Sequence, residues 1–260
     1  MQEIRNIVLL GAGNVATQLG VALHEAGLDI RQVYSRTWSS AEKLASRLMA
    51  APANDIHDID PGADLYVVAI SDDALVEVVS KLNAGEQFVV HISGSVSMEA
   101  LEPFAGRYGV IYPVQTFSAT RKVDFSDVPV CIEANSLENL ELLHLLASKI
   151  SGDVRTVASD KRRLLHLAAV FACNFPNFMY SMAESVLRGA NLDFDLLKPL
   201  IRETAEKVQS VSPKEAQTGP AWRGDRKVMD AHLQLLQNKP GMQELYRQIS
   251  IEIGNMKEQG

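Results

Sequence analysis

The most constraining feature of the sequence is the stretch over residues 6–20, NIVLLGAGNVATQLG. A short apolar run leads into Gly11 and Gly13, and then into residues with helical periodicity. In this order the first glycine allows a sharp turn, the second lets the backbone approach a pyrophosphate, and a small third residue, here Ala16, lets helix pack on strand. Free N–H groups at the start of the helix would hold the phosphates without a basic side chain. The stretch therefore predicts a dinucleotide-binding turn, with a Gly-rich turn of another α/β protein as the alternative.

The residues after the next predicted strand, 32–34, indicate which dinucleotide is bound. Ser35, Arg36 and Thr37 follow that strand, 24 residues after Gly11. An acidic residue here would bond a ribose 2′-hydroxyl, whereas these three offer donors and a positive charge to a 2′-phosphate. We therefore predict NADP(H) rather than NAD(H). The alternative is that Arg36 is a solvated surface charge.

Strand and helix patterns alternate along the first 157 residues. Strands are predicted over 7–10, 32–34, 65–70, 88–92, 110–112, 130–133 and 154–157, and helices over 14–26, about 39–49, 74–82 and 137–150. This alternation predicts an α/β fold with a doubly wound, mostly parallel Rossmann sheet and ligand sites beyond the carboxyl ends of its strands. The predicted cofactor contacts at that edge are Gly11, Ala12, Gly13, Asn14, Val15, Ser35, Arg36, Thr37, Ile70, Ser71, Ser93 and Gly94.

After residue 157 the pattern is helical to the C-terminus. We therefore predict an NADP-binding Rossmann domain over residues 1–157 and an all-α domain for substrate binding and dimerisation over residues 158–260.

Composition excludes several classes of partner. The formal net charge of −7 disfavours nucleic acid or an anionic membrane, because both require a basic face. No segment approaches about 18 uninterrupted apolar residues, and the first residues do not resemble a signal peptide. Cys131 and Cys173 lie in apolar runs without metal-ligand spacing, so we expect reduced core cysteines and no metal site. These observations predict a cytoplasmic protein.

The most informative part of the second predicted domain is the stretch over residues 160–188, which predicts one long helix. Residues 167–173 are seven consecutive apolar residues, so the whole circumference of the helix there should be buried. A helical domain of this size offers no obvious cover for it. We therefore expect a second copy of the chain to bury it in a homodimer.

Polar residues interrupt this apolar run at His166, Asn174 and Asn177. At the helical period they lie along one stripe, and Pro176, which cannot donate to the carbonyl of Ala172, should kink the helix beside both asparagines. Such a cluster predicts a site in which His166 is the general acid and Asn174 orients the substrate oxygen. The alternative is that these residues satisfy one another and the freed carbonyl inside a core.

A second candidate contact lies in residues 218–225, TGPAWRGD. Arg223 stands in a rigid turn beside a tryptophan, a placement that favours a guanidinium presented to an anion such as a substrate carboxylate. The alternative is a structural ion pair with Asp225, which is also the predicted N-cap of the next helix.

Six segments carry a resemblance to a known family. They are GAGNVA at 11–16, SRT at 35–37, HISG at 91–94, PVQTF at 113–117, HLAAVFACN at 166–174 and TGPAWRGD at 218–225. On these residues the whole chain resembles the Rossmann-like NADP oxidoreductases of the 6-phosphogluconate dehydrogenase, ketopantoate reductase and pyrroline-5-carboxylate reductase group. It is most similar to the subfamily whose helical C-terminal domain is named only as a domain of unknown function. Such proteins often have histidine where this chain has Tyr112.

The resemblance implies roles for particular residues. It implies that His166 supplies a proton, that Asn174 contacts substrate, and that Ser93 and Gly94 form a substrate-contacting turn. It further implies a dimer and an NADPH-dependent oxidoreductase that reduces a small carboxylate-bearing carbonyl, like ketopantoate, or an imine, like pyrroline-5-carboxylate. The predicted catalytic residues are His166, Asn174, Asn177, Ser93 and Arg223. Because no decisive catalytic constellation is present, the alternative is a catalytically silent NADP(H)-binding sensor or interaction protein.

Overall fold

The protein consists of two compact units, residues 1–174 and 175–260. A computed structural model describes residues 3–82, 84–118 and 120–258. The predicted domain boundary after residue 157 falls inside the first unit, which therefore contains both the sheet and the helix that carries His166.

One eight-stranded sheet forms the centre of the first unit. Its strands are β1 Asn6–Leu10, β2 Asp29–Tyr34, β3 Ala51–Ala53, β4 Leu65–Val68, β5 Gly85–His91, β6 Ala105–Pro113, β7 Val130–Ala134 and β8 Val154–Thr156. They lie in the order β3-β2-β1-β4-β5-β6-β7-β8, and all neighbours are parallel except β6 and β7. The predicted α/β fold with a doubly wound, mostly parallel Rossmann sheet is confirmed.

Helices cover both faces of this sheet because its central strands are apolar on both sides. They are α1 Asn14–Glu25, α2 Trp38–Leu48, α3 Asp72–Lys81 and α4 Leu137–Ala147, whereas α5 Ser159–Ala169 follows β8 and contributes to neither core. Ile7 and Leu9 of β1 belong to one buried cluster, whereas Val8 and Leu10 belong to another. Successive side chains of the strand thus point to opposite faces of the sheet and pack into two different cores.

The antiparallel pairing of β6 with β7 has a topological effect that the apolar pattern did not predict. Tyr112 pairs with Cys131, and Pro113 pairs with Val130. Because β6 ends and β7 begins at the same edge of the sheet, the connection between them leaves and re-enters the sheet beside the carboxyl ends of the parallel strands.

The described part of the second unit is helical, in agreement with the predicted all-α C-terminal domain. Its helices are α6 Phe175–Gly189, α7 Lys198–Lys207, α8 Pro213–Ala216, α9 Pro220–Arg223, α10 Arg226–Leu235 and α11 Pro240–Glu258. The predicted N-cap is present, since the Asp225 side chain accepts a hydrogen bond from the Val228 N–H at 3.3 Å.

The predicted long helix has the expected extent but not the expected regularity. The backbone is helical throughout residues 159–189, yet Val170–Asn174 is a π-helical segment between α5 and α6. A π turn takes an extra residue, so the regular stripe predicted from a 3.6-residue period does not hold across it. Pro176, which lacks an N–H group, follows two residues later and favours such a break in the ladder.

The apolar run of residues 167–173 is largely exposed in the single chain, where the expected second copy is not present. Leu167 is 53% exposed and Phe171 is 62% exposed. The sheet and helices of the first unit do not cover this surface. Cys131 is buried as predicted, but Cys173 in the same run is only half-buried.

Two properties of the described residues bear on membranes and metal ions. No helix among them is both long and apolar enough to cross a bilayer. No group of three or more metal-ligating side chains among them could hold an ion.

Candidate functional site

The turn after β1 has a geometry that only glycine fits. Gly11 has a φ of +129°, and its N–H donates to the Tyr34 carbonyl at 2.8 Å. A Cβ at this position would lie 2.1 Å from the carbonyl oxygen of Ala69. The first glycine therefore lets the end of β1 pass against the segment that follows β4, at the point where the strand order reverses.

The second glycine faces open space. Apart from its own chain neighbours and the adjoining helix backbone, no heavy atom lies within 4 Å of the position that a Cβ on Gly13 would take. Gly13 is the N-cap of α1, no side chain caps this helix, and no acidic residue lies in its first turn. The N–H groups of that turn are therefore available to an anion, as the fingerprint requires.

A cleft of about 420 Å³ opens beside this turn, and we call it the fingerprint cleft. Nine of the predicted cofactor residues line it: Gly11, Ala12, Gly13, Asn14, Val15, Ser35, Arg36, Ile70 and Ser71. Thr37, Ser93 and Gly94 were also predicted but are not in its lining, whereas Tyr34, Ala69, Ala74, Val78 and Ile92 complete it. The chemistry of this lining suits a dinucleotide, because backbone N–H groups and small residues surround the space.

Arg36 lies exposed in the lining of the fingerprint cleft. Within the described residues it forms no hydrogen bond or ion pair, and its guanidinium is free to contact a ligand. Ser35 uses its hydroxyl to accept a hydrogen bond from the Thr37 N–H at 3.3 Å.

A second cavity of about 560 Å³ lies in the same unit, and we call it the His166 cavity. Its lining comes from α1, the end of β6, the residues after it, and α5 with the π-helical segment: Val15, Tyr112, Val114, Gln115, Thr116, Phe117, Leu165, His166, Ala168, Ala169, Val170, Ala172, Cys173 and Asn174. Val15 lines both this cavity and the fingerprint cleft. The two spaces therefore adjoin.

His166 contacts two segments of the first unit through one edge of its ring. Its Nδ1 lies 3.1 Å from the Tyr112 hydroxyl oxygen, and the two rings meet edge-on at 73°. A Cβ on Gly94 would lie 2.7 Å from the same nitrogen. Gly94 is thus needed for the close approach of the ring, and its predicted cofactor contact stays a prediction. Burial raises the pKa of Tyr112, so its hydroxyl stays protonated at neutral pH.

The turn over residues 91–97 is held by buried polar groups. His91 accepts a hydrogen bond on Nδ1 from the Ser93 N–H at 3.1 Å, and its Nε2 lies 3.2 Å from the Ser97 carbonyl. Because a carbonyl only accepts, Nε2 carries the proton. The Ser93 hydroxyl accepts from the N–H groups of Ser95 and Val96 at 3.1 and 3.0 Å. Ser93, a predicted catalytic residue, therefore uses its oxygen to shape the turn.

His91 should make stability depend on pH. Burial, and secondarily the positive charge of Arg162, lowers the pKa of His91 to about 4, whereas the unfolded chain has an ordinary pKa near 6.5. As the pH falls, the unfolded state binds the proton first. The free energy of unfolding should therefore be fully retained above pH 6.5 and fall by about 3 kcal/mol between pH 6.5 and 4.

Urea unfolding from pH 7 to 4.5 tests this pH dependence. In a Trp222→Phe background Trp38 is the single tryptophan and reports on the first unit. His91→Gln should flatten the curve, whereas replacement of the exposed His144 by glutamine should not. If the free energy of unfolding falls equally with pH in all three proteins, His91 does not cause the pH dependence.

Arg162 is a structural centre that the sequence analysis missed. It is completely buried, and its Nη1 donates to Oε2 of Glu133 on β7 at 2.5 Å. Its Nη2 donates to the Val96 carbonyl at 2.6 Å, and its Nε donates to the Ser93 carbonyl at 3.2 Å. One guanidinium thus joins α5, β7 and the turn over residues 91–97. Because Arg162 lies one helical turn before His166, it also fixes the helix that carries that ring.

A second set of bonds fixes the start of α1 to the connection over residues 114–129. Asn14 Nδ2 donates to the Phe117 carbonyl at 3.2 Å. Gln18 is buried, and its Nε2 donates to the Ser118 carbonyl at 2.7 Å. The helix of the fingerprint therefore also supports the wall of the His166 cavity.

The remaining predicted residues are exposed, and they lie in different units. Asn174 lines the His166 cavity. Asn177 and Arg223 belong to the second unit. The Arg223 side chain is exposed and forms no ion pair with Asp225, whose carboxylate caps α10 instead. The described residues therefore do not form the structural Arg223–Asp225 ion pair that we gave as the alternative.

Two family models match the chain. A Rossmann-like domain matches residues 2–115, and a domain of unknown function, DUF2520, matches residues 128–253. None of the curated proteins matches it.

Solved structures resemble the chain over nearly its whole length. A Bacteroides fragilis protein named "putative NADP oxidoreductase" is 45% identical, has a TM-score of 0.94, and matches over 97% of this chain and 98% of that one. A Thermotoga maritima protein is 24% identical with a TM-score of 0.81, over 97% and 99% of the two chains. An imine reductase of Myxococcus stipitatus in complex with NADP+ is 17% identical with a TM-score of 0.63, over 97% and 93%. The last two show a shared fold.

The resemblance found in the six sequence segments is confirmed by these matches. At 45% identity over the whole chain, the relationship to the Bacteroides fragilis protein exceeds a shared fold. The chain belongs, together with that protein, to the family in which a Rossmann-like domain is joined to the domain of unknown function DUF2520.

Proposed function

We propose that the protein is an NADPH-dependent oxidoreductase that reduces a small substrate bearing a carboxylate. The substrate is a carbonyl compound, like ketopantoate, or an imine, like pyrroline-5-carboxylate. The names of the Bacteroides fragilis protein and of the imine reductase support this class of reaction.

The observation that carries the proposal is that the fingerprint cleft and the His166 cavity adjoin at Val15. A reductase needs a dinucleotide site next to a space that holds both the substrate and a proton donor. The first cavity offers uncapped helix N–H groups and two glycines. The second offers a half-buried histidine whose ring is held at Nδ1.

In the proposed reaction the cofactor supplies a hydride and the protein supplies a proton. NADPH, when bound, supplies a hydride to the carbon of the C=O or C=N group. The electron pair of that double bond moves to oxygen or nitrogen. His166 then gives up an N–H proton to that atom, and solvent replaces the proton. Asn174 orients the substrate.

A substrate screen tests the proposal. Purified protein is mixed with NADPH and with 2-keto acids or cyclic imino acids, and the loss of NADPH absorbance is followed. We expect turnover of at least one compound, with a matching amount of hydroxy or amino acid by mass spectrometry. NADPH binding without turnover across the whole panel would contradict the reductase and favour an NADP(H)-binding sensor.

The carboxylate part of the proposal rests on Arg223, whose exposed guanidinium is suited to bidentate recognition. Arg223→Ala should mainly raise KM for a carboxylate substrate. The effect should disappear for an analogue without the carboxylate. An equal effect on both compounds would contradict a carboxylate contact.

Cofactor preference is a separate prediction. We expect NADPH to bind at least about tenfold more tightly than NADH, because a charge-assisted contact with the 2′-phosphate is worth roughly 1.5–3 kcal/mol. Arg36→Gln should remove most of this difference, as measured by the dissociation constants of both cofactors. Arg47→Gln removes an exposed arginine of α2 outside the fingerprint cleft and should leave the ratio unchanged. Equal dissociation constants in the unmodified protein would contradict the NADP(H) assignment.

We also propose that the protein is a homodimer. Leu164, Leu167 and Phe171 are all more than half exposed in the single chain, and no described residue of the second unit is buried. Apolar surface of this kind is typical of protein interfaces. We propose that a second copy of the chain covers this surface, because residues 167–173 are apolar around the whole circumference of the helix and need cover on several sides.

Light scattering at micromolar concentration tests this assembly. We expect twice the chain mass of 28.5 kDa. Combined Leu164→Glu and Leu167→Glu substitutions should shift the protein towards the monomer, because two buried charges would be unpaired. Leu145→Glu, at an exposed leucine of α4, is the matched control and should not. A monomeric mass for the unmodified protein would refute the homodimer.

A further inference from the structure

We propose that Tyr112 is a positioning residue for the reduction: it holds the His166 ring at Nδ1 and leaves Nε2 as the nitrogen that faces the substrate. The reaction in which this matters is the proposed function, on which the inference rests. The position of the ring itself can be tested without that reaction.

The Nδ1 edge of His166 is closed from two directions. Tyr112, near the end of β6, places its hydroxyl oxygen 3.1 Å from Nδ1. Gly94, in the turn after β5, approaches so closely that a Cβ there would lie 2.7 Å from Nδ1 and 2.8 Å from Cγ. A substrate therefore cannot reach this nitrogen without displacing one of them.

The opposite nitrogen is accessible. Within the described residues no hydrogen-bond partner contacts Nε2, although the half-buried side chain lines the His166 cavity. Nε2 is therefore the nitrogen left for a ligand. A ring held at one nitrogen presents the other in a fixed direction, which is how histidine partners control catalytic imidazoles.

The direction of the Tyr112–His166 hydrogen bond follows from elementary acid–base chemistry. A phenol hydroxyl is a better donor than a neutral imidazole N–H, and an imidazole nitrogen is a better acceptor than a phenol oxygen. The neutral pair is therefore O–H···Nδ1, and the ring carries its own proton on Nε2. When the ring is protonated, Nδ1–H donates and the hydroxyl rotates to accept. Tyrosine can hold the ring in both states, which phenylalanine cannot.

Steady-state kinetics give the first test. Tyr112→Phe should lower kcat by about 10- to 100-fold. It should leave KM and the dissociation constant of NADPH within about twofold, because neither cavity loses its shape. Tyr108→Phe removes a hydroxyl from the same strand outside the His166 cavity and should change none of these values. In a His166→Asn background, Tyr112→Phe should cause little further loss, because both substitutions act on one unit.

Nitrogen NMR of the protein without cofactor or substrate gives the second test. With ¹⁵N-labelled histidine, the His166 signals are identified by their loss in His166→Asn. For the neutral ring we expect the Nε2–H tautomer in the unmodified protein and in Tyr108→Phe. Tyr112→Phe should give a mixture of tautomers. Gly94→Ala, which forces the ring away without removing a polar group, should change the signals in the same way.

The outcomes are distinguishable. An unchanged spectrum and an unchanged kcat in Tyr112→Phe would overturn the proposal. A loss in Tyr112→Phe that exceeds the loss in His166→Asn would also overturn it, because Tyr112 would then be the proton donor itself. If no carbonyl or imine is reduced, the proposed function fails. The spectra still decide whether Tyr112 determines the tautomer of the His166 ring.

Discussion

His166→Asn should lower kcat of the proposed reduction by about 10²- to 10⁴-fold, the usual contribution of a positioned general acid. An asparagine amide can reproduce the Nδ1 edge of the ring and its bond to Tyr112, but it places no titratable group at the position of Nε2. The dissociation constant of NADPH should stay nearly unchanged, because the ring does not line the fingerprint cleft. Single-turnover kinetics and cofactor titration measure the two quantities.

The matched control for this substitution is His144→Asn, at an exposed histidine of α4. It should leave kcat and cofactor affinity as they are. If kcat of His166→Asn stays within about threefold of the unmodified protein, His166 is not the acid. The polar residues near it would then have the structural role that we gave as the alternative.

Arg162→Met should have the largest effect on stability. It removes the positive partner of the Glu133 carboxylate, which keeps only its bonds from Ser159, and it leaves the carbonyl groups of Ser93 and Val96 without their donor. Breaking a buried ion pair in this way typically costs about 3–5 kcal/mol. Urea unfolding in the Trp222→Phe background measures the loss in the first unit. Arg163→Met changes the exposed neighbour on the same helix and should stay within about 0.5 kcal/mol.

A double variant separates the ion pair from the packing around it. Arg162→Met combined with Glu133→Gln removes both charges and keeps an oxygen that can accept from Ser159, so it should recover much of the loss. If the double variant is as unstable as Arg162→Met alone, the guanidinium contributes through its bonds to the turn over residues 91–97 rather than through Glu133.

Much of the fold could be predicted because burial imposes a pattern on the sequence. A strand covered on both faces must be apolar at successive positions, as residues 65–70 are, and the fingerprint glycines fix where the first turn lies. Strand direction leaves no such mark, so the antiparallel β7 was not predicted. The short edge strand β3 was missed because Pro52 weakens the strand pattern, although an edge strand tolerates proline.

The site was predictable only in part, for a related reason. The fingerprint residues could be predicted because the tight turn requires glycine or another small residue at fixed spacings in the sequence. Arg162 did not stand out, because an arginine in a helical pattern usually marks the solvated face; its distance of one turn from His166 was the available signal. Tyr112 was visible as a departure from the family pattern, but its partner could be identified only from the folded chain. The π-helical segment is invisible to an analysis that assumes a constant helical period.

The reversed strand β7 has a consequence for how the protein can change over evolutionary time. The connection over residues 114–129 leaves and re-enters the sheet at one edge, and its first residues form a wall of the His166 cavity. Lengthening a closed loop is inexpensive, since each doubling costs only about 0.6 kcal/mol. Insertions near residues 114–116, before the part of the connection that contributes Phe125 and Val128 to the core, would reshape the His166 cavity without altering strand register. This segment is therefore where the shape of the His166 cavity can change while the glycine turn after β1 stays fixed.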